Sequence, residues 1–316
     1  ELAMTQDIIK ASQSKKQFKM NKKQKDLVFY IAMMAFPITQ FLIFYVGVNL
    51  NSFLLAFRKY NPMDGTFSFV GFENFMNVLN DLFNRSMFQI AFRNTMIAFI
   101  VGVSFGITLG LIFSYYIYKR FLGHKFFKIM LFLPAIVSSL VMVSIFMQFV
   151  ESGIPNILRQ LFGIQMLGFL ANSETTFATI IFYNLWIGFG VSILLYVGAM
   201  NSINESTIEA AKIDGVNKFQ EFIHIIMPLI WPTFTQFIVV AVGAIFMNQL
   251  NLFAFYGQGS EVRLYTFGYY LYKETLISST VNMPYLATMG ILLTMVTIPV
   301  TMLIRWALQK YGPSVD

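Results

Sequence analysis

Six stretches of the chain contain no Asp, Glu, Lys or Arg: residues 27–57, 94–118, 129–150, 175–204, 225–260 and 275–304. Each is longer than the roughly 20 residues that a helix needs to cross a bilayer core at about 1.5 Å per residue. In lipid, continuous apolar runs of this length satisfy their backbone groups only as helices, which predicts six transmembrane helices with interfacial or loop residues at the ends of the longest windows. Pro37 and Pro134 fall inside the first and third windows, where lost hydrogen bonds permit kinks. Gly102, Gly106 and Gly110 recur every four residues in the second and line one helix face for close packing. No strand precedes them, which removes a phosphate-loop reading.

The charges that remain define a topology. Successive segments between the windows carry seven, four, four, one, two, two and two Lys or Arg residues. The richer alternate set includes both ends, and the positive-inside bias therefore puts both termini in the cytosol. The formal charge of +7 thus reports orientation, and nucleic acid is not an expected partner. The first window follows the basic stretch from Lys15 to Lys25, as in a signal peptide. It is too long and lacks a small-residue cleavage site, so it is kept as a span. The expected organisation is a basic cytosolic tail over 1–26 able to rest on anionic lipid, a membrane domain over 27–308, and a short cytosolic tail over 309–316. The fold class is an all-α integral membrane protein, multi-pass in the cell membrane.

Composition removes several chemistries. Only 12% of residues are charged, against roughly 25% in soluble domains. With no cysteine and only His124 and His224, there is no thiolate nucleophile and no histidine-built metal centre. No G-x-x-x-x-G-K-[ST] occurs, so the chain carries no P-loop ATPase of its own. The windows also lack the ionisable residues of proton-coupled carriers and intramembrane hydrolases. No enzyme activity, metal or cofactor is expected on this chain.

The segment 204–232 is polar enough to lie outside the membrane, on the cytosolic side of the expected topology. Ser206 with Glu209 reads as a capping box opening a short helix, which Gly215, after Asp214, is placed to end in a left-handed conformation. Asn217 with Gln220 caps a second helix, in which Phe219, Phe222, Ile223 and Ile226 share one face. Pro228 and Pro232 mark its end and the start of the fifth span. Periodicity alone reads this helix–Gly–helix as a structured loop packed on its own spans.

Its residues say more. Glu209-Ala210-Ala211, Gly215 four residues later, and Ile225 and Pro228 ten and thirteen residues beyond that glycine resemble the EAA loop of importer-type ABC permeases. Asp214 and the run to Pro232 are similar to the carbohydrate-uptake branch. The resemblance covers most of 27–308. It includes Phe69-Val70-Gly71-Phe72-Glu73-Asn74-Phe75 after the first span, Arg93-Asn94-Thr95 at the second, His124-Lys125-Phe126-Phe127 through Leu133-Pro134 at the third, and Gly153-Ile154-Pro155-Asn156 in the following outer loop. The first-span and outer-loop features resemble the maltose-type first permease subunit. Departures are Val216 for the usual alanine, Met227 for leucine, and Gly257-Gln258-Gly259 for a Gly-Gly-Pro turn.

The resemblance implies a transport subunit of a bacterial-type cell membrane, working with a second, related permease, two ATP-binding subunits that hold ATP and Mg, and an extracytoplasmic solute-binding protein. It implies that Glu209, Ala210, Ala211, Asp214, Gly215 and Pro228 belong to the coupling loop seated on an ATPase subunit. A sugar path then runs near mid-membrane between the permeases. Its candidates are Asn248, Gln249, Asn251 and Tyr256 in the outer part of the fifth window, and Tyr183, Asn184 and Trp186 near the start of the fourth. They combine hydroxyl-bonding amides with stacking rings. For each, helix–helix hydrogen bonding or an interfacial aromatic belt is the competing role. The windows lack the basic groups that bind phosphate or carboxylate, favouring a neutral oligosaccharide, although Arg58, Arg85 or Arg93 is a candidate for the outer mouth. The alternatives are a permease for a polyol, glycerol phosphate or acidic saccharide, and an autonomous secondary carrier.

Overall fold

The computed structural model describes residues 21–313. Most of the expected tail over 1–26 therefore lies outside the described residues, as does the end of the one over 309–316. The chain forms two compact units, Glu1–Leu54 and Leu55–Asp316.

The first unit holds most of helix α1 (Lys22–Ala56). Asn21 opens α1 with a capping box, its side chain taking the Lys22 N–H at 2.8 Å while Gln24 reaches back to the Asn21 N–H at 2.9 Å. Pro37 stays within the helix, and four residues later the winding loosens into a π-helical stretch, Phe41–Gly47.

The second unit begins with an antiparallel hairpin, β1 (Arg58–Asn61) against β2 (Thr66–Phe69). It is an addition to the expected all-helical fold, and its Asn-Pro-Met-Asp-Gly connection, with Gly65 at φ +65°, is a turn signal. Asn74 at the start of α2 (Glu73–Asn84) donates to the Ala56 and Arg58 carbonyls at 2.9 and 2.8 Å and so fixes the hairpin's base. The helices that follow are α3 (Ser86–Tyr118), α4 (His124–Ile136), α5 (Ser139–Phe162), α6 (Thr176–Asn201), α7 (Glu205–Ile213), α8 (Lys218–Leu229), α9 (Trp231–Gly243), α10 (Leu252–Tyr256), α11 (Phe267–Ile277) and α12 (Met283–Tyr311).

Among the described residues five helices are long and apolar enough to cross a membrane: α1, α3, α5, α6 and α12. A sixth crossing is counted if α8 and α9 form one span bent by 71°. Two expected spans are thus interrupted. The third window is split, because Val137 and Ser138 are extended between α4 and α5. Pro134 sits inside α4, and the break comes three residues after it. The fifth window is not one helix: α9 has 13 residues, about 20 Å at helical rise, and the backbone then leaves the helix until α10. Irregular backbone at membrane depth is tolerated where protein or a wet cavity satisfies it.

The glycine ladder of α3 divides in role. A Cβ at Gly106 would lie 3.5 Å from Leu185 and one at Gly110 3.4 Å from Ser192, so these two let α3 approach α6; a Cβ at Gly102 would meet open space. Three apolar clusters carry the packing among the described residues, the smallest being Ile117 with Phe189, Ile193 and Val197; the other two matter for the site. One gathers Phe88, Phe146, Tyr183, Phe255, Tyr269 and Met289. The other joins Leu111, Tyr196 and Met200 to Ile208, Ile226 and Ile230, seating α7 and α8 on α3 and α6.

Candidate functional site

The helix–Gly–helix segment builds itself largely from local bonds. Asn204, not Ser206, caps α7: its side chain accepts the Ser206 N–H at 3.2 Å. The helix therefore starts at Glu205, and Ser206 and Glu209 do not form the expected box. Asn displaces Ser because it stands at the last non-helical position and reaches the free N–H groups of the first turn. At the other end Gly215 has φ +75°, while the Gly215 and Val216 N–H groups take the Lys212 and Ala211 carbonyls at 3.2 and 3.1 Å. A Cβ there would touch nothing, so backbone sign rather than space demands glycine. Asn217 and Gln220 form the capping box of α8, which runs through a π-helical turn, Phe222–Ile226, to Pro228 and ends at Ile230.

Ile208 and Ala211 are buried, whereas Glu209, Ala210 and Asp214 face outward. Glu209 makes no hydrogen bond or ion pair among the described residues, which leaves its carboxylate free. Ile213 and Phe219 are 86% and 71% exposed. The outward face thus presents Ile213 and Phe219 beside the Glu209 and Asp214 carboxylates and the Lys212 ammonium.

The second region is the irregular stretch after α9, and other helices hold it in place. Leu250 and Asn251 both take positive φ, 52° and 54°. Asn184 donates to the Leu250 carbonyl at 2.9 Å, Asn251 donates to Asn184 Oδ1 at 2.7 Å, and Ser139 donates to Asn251 Oδ1 at 3.0 Å. Three spans are thereby tied at one level. Thr266 adds a bond to the Asn248 carbonyl at 2.9 Å. Asn94 donates to the Arg263 and Tyr265 carbonyls at 2.8 and 3.0 Å.

This stretch borders two clefts of about 330 and 290 Å³. The first lies between α3 and the end of α9, with Thr95, Ala98, Gly102 and Asn248 in its wall. The second is lined by Asn184, Gly188, Ser192 and Tyr196 on α6 and by Gly102, Gly106 and Asn248. Ala98, Gly102 and Asn248 belong to both. The Asn248 side chain is exposed, and among the described residues its oxygen accepts the Leu250 N–H, at 2.9 Å, and its amide donor has no partner.

Of the seven path candidates, Asn248 and Asn184 line a cleft. Asn251 is engaged at both ends of its amide. Tyr183 is wholly buried among Phe146 and Phe255, with ring centroids at 4.8 and 5.0 Å. Trp186 packs on the same group, 6.3 Å from Phe146. Gln249 is half-buried with its side-chain oxygen unbonded, and Tyr256, beside Phe255, lines neither cleft. Gly188, Ser192 and Tyr196 escaped the sequence reading, although with Asn184 they recur every four residues, a small and polar stripe in an apolar helix. Ser139 gave no such signal, because its role exists only through contact with Asn251.

No basic side chain lines either cleft. Arg263 lies on the adjoining loop, where it bonds Glu261 and the Ser173 carbonyl, both at 2.6 Å. The hydrogen bond from Arg263 holds the Glu261 carboxyl below its ordinary range. Arg85 pairs with Asp81 at 2.9 Å, and Arg58 and Arg93 are exposed away from the clefts.

The comparison with known proteins decides the family: a profile described as a binding-protein-dependent transport system inner membrane component matches residues 102–315. The chain belongs to that family of ABC transporter permeases. It is 28% identical over 245 residues to the multiple sugar-binding transport system permease protein MsmF of Streptococcus mutans, covering 77% of this chain and 82% of that one. With the arabinooligosaccharides transport system permease protein AraP of Bacillus subtilis it shares 24% over 270 residues, 84% of each chain. Its fold matches a chain in the crystal structure of a bacterial ABC transporter that imports the acidic polysaccharide alginate, with TM-score 0.75 at 22% identity over 91% of this permease and 96% of that chain.

Proposed function

We propose that the chain is the transmembrane permease subunit of an ATP-driven importer that passes a neutral oligosaccharide from an extracytoplasmic binding protein to the cytosol. It acts with a second permease and two ATP-binding subunits, and both of its termini are cytosolic. The observation that carries the reading is the pair of uncharged clefts meeting at Asn248. A free amide donor, backbone oxygens and small side chains there suit hydroxyl groups, and among the described residues no Lys or Arg lines either cleft to meet a carboxylate or phosphate. The names of MsmF and AraP support a saccharide.

Substrate contact falls to Asn248, while Asn184, which borders the second cleft, has its amide engaged by Ile180, Leu250 and Asn251 and serves as a tie. Asn251 and Ser139 are assigned to holding that wall in shape. The coupling loop is 204–232. Its exposed face, with Ile213, Phe219 and the free Glu209 carboxylate, docks on an ATP-binding subunit, apolar contact supplying area and the carboxylate meeting a basic group. Gly215 keeps α7 and α8 at a fixed angle so that movement of the docked helix is passed on.

The test is uptake by the complete complex in proteoliposomes with a panel of neutral and uronic-acid oligosaccharides. Uptake that requires ATP, the binding protein and a neutral saccharide supports the proposal. Uptake by this chain alone would make it a secondary carrier, and preference for the acidic saccharides would overturn the assignment of a neutral substrate.

A further inference from the structure

Lys119 follows directly on the last residue of α3, and its ammonium bonds both carboxylate oxygens of Glu221 on α8, at 2.7 and 3.0 Å. The two side chains are 15% and 5% exposed. Burying an ion pair costs desolvation that attraction recovers only with good geometry, so stability alone does not account for the pair. Its surroundings point to a grip. Tyr115 donates to the Lys218 carbonyl at 2.9 Å, the Tyr115 ring lies 4.9 Å from Phe222, and the Lys218 ammonium sits 4.4 Å from the Phe121 ring centre. The end of α3 therefore holds the first turns of α8 by charge, hydrogen bond and ring contact, across about a hundred residues of sequence.

What lies at each end matters. On one side α8 is joined through the Gly215 turn to α7, whose outward face is free. On the other, α3 carries Thr95, Ala98, Gly102 and Gly106 along the cleft walls. The covalent route from α8 to the cleft passes instead through the 71° bend into α9. We propose that the Lys119–Glu221 pair is the strut by which displacement of the coupling segment reaches α3 and thereby the cleft. Lys119 and Glu221 are thus positioning residues for transport and touch neither sugar nor ATP. This inference rests on the coupling role proposed above.

The experiment uses the complete reconstituted complex and reads sugar taken up per ATP hydrolysed, beside ATP turnover and the complex's melting temperature. Removing one partner strands a buried charge and can prevent folding. The principal variant is therefore Lys119→Met with Glu221→Met, and the exchange Lys119→Glu with Glu221→Lys is its control. In the double-methionine complex, uptake per ATP should fall about five-fold or more, within the usual range of coupling between sites, while ATP turnover persists. The exchange should recover at least half of the loss. A merely stabilising pair would instead lower the melting temperature and the yield of complex at an unchanged ratio, and that result overturns the strut. So does a loss of ratio that the exchange leaves uncorrected. Gly215→Val run alongside separates the two readings. If it loses sugar-stimulated ATP hydrolysis and uptake while the pair variants keep the parent's uptake per ATP, the strut alone falls; if it keeps both at the parent's values, the coupling role falls and takes the strut with it.

Discussion

Both the helix–Gly–helix segment and the stretch after α9 interrupt helices, but different bonds hold them. In the first, Asn204, Gly215 and Asn217 satisfy free backbone groups of their own or adjacent turns. In the second, Leu250 and Asn251 are kept in left-handed backbone by side chains from α5 and α6. The turns of the first region are set by its own residues and the end of α3 grips it from outside, so it can move as a piece together with α3. The second changes shape only if those neighbours move, which suits a wall that must respond to rearrangement of the spans around it.

The sharpest test removes the cross-span tie. Asn184→Ala takes away the donor to Leu250 and the acceptor for Asn251, leaving buried polar groups unmet at a cost on the order of 1–3 kcal/mol each. The expected outcome is a marked fall in melting temperature of the purified complex and loss of uptake for every saccharide alike. If stability is unchanged and only saccharide preference shifts, Asn184 serves as a ligand rather than as a tie.

Gly215→Val attacks the self-contained region. A β-branched residue at φ +75° costs roughly 1–2 kcal/mol for the left-handed conformation, and relief requires α7 and α8 to change their mutual angle. The complex should assemble with a melting temperature near that of the parent, yet lose most of its sugar-stimulated ATP hydrolysis and uptake. Normal values for both would show that the angle at Gly215 is not used.

This contrast also explains what was legible in the chain. The long charge-free windows announced the spans, and Gly215, Asn217 with Gln220, and Pro228 announced a helix–turn–helix, because caps and breakers act within a few residues. The end of α9 was hidden because its apolar sequence reads on through Ile245 and Phe246, and nothing local distinguishes a helix from a backbone held open by Asn184. For the same reason Asn251 looked like a sugar ligand: an amide in an apolar window signals a partner without saying which. Lys119 and Glu221 carry no local signal, because about a hundred residues separate them and only the fold brings them together.

Asn248→Ala should have a narrower effect than either change above. Its side chain makes one bond, to the Leu250 N–H two residues on, so the melting temperature should stay close to that of the parent. Uptake should fall roughly five- to ten-fold, the loss of about 1 kcal/mol expected for one hydrogen bond, with altered competition among saccharides. Uniform loss with a lowered melting temperature would instead place Asn248 among the supports of the wall.

The smallest effect separates the two possible caps of α7. Asn204→Ala removes the acceptor of the Ser206 N–H and should cost about 1 kcal/mol of local helix stability, whereas Ser206→Ala, inside the first turn, should change little because alanine is the better helix former. Hydrogen exchange over 205–213 reads this directly, since a helix lacking its cap opens more often while the buried Ile208 and Ala211 still dock it. Glu209→Gln provides the internal contrast. With no intramolecular bond to lose, it should leave exchange in the isolated permease untouched and weaken only binding of the ATP-binding subunit. Faster exchange in Ser206→Ala than in Asn204→Ala would return the cap to Ser206, and unchanged binding in Glu209→Gln would remove the carboxylate from the docking face.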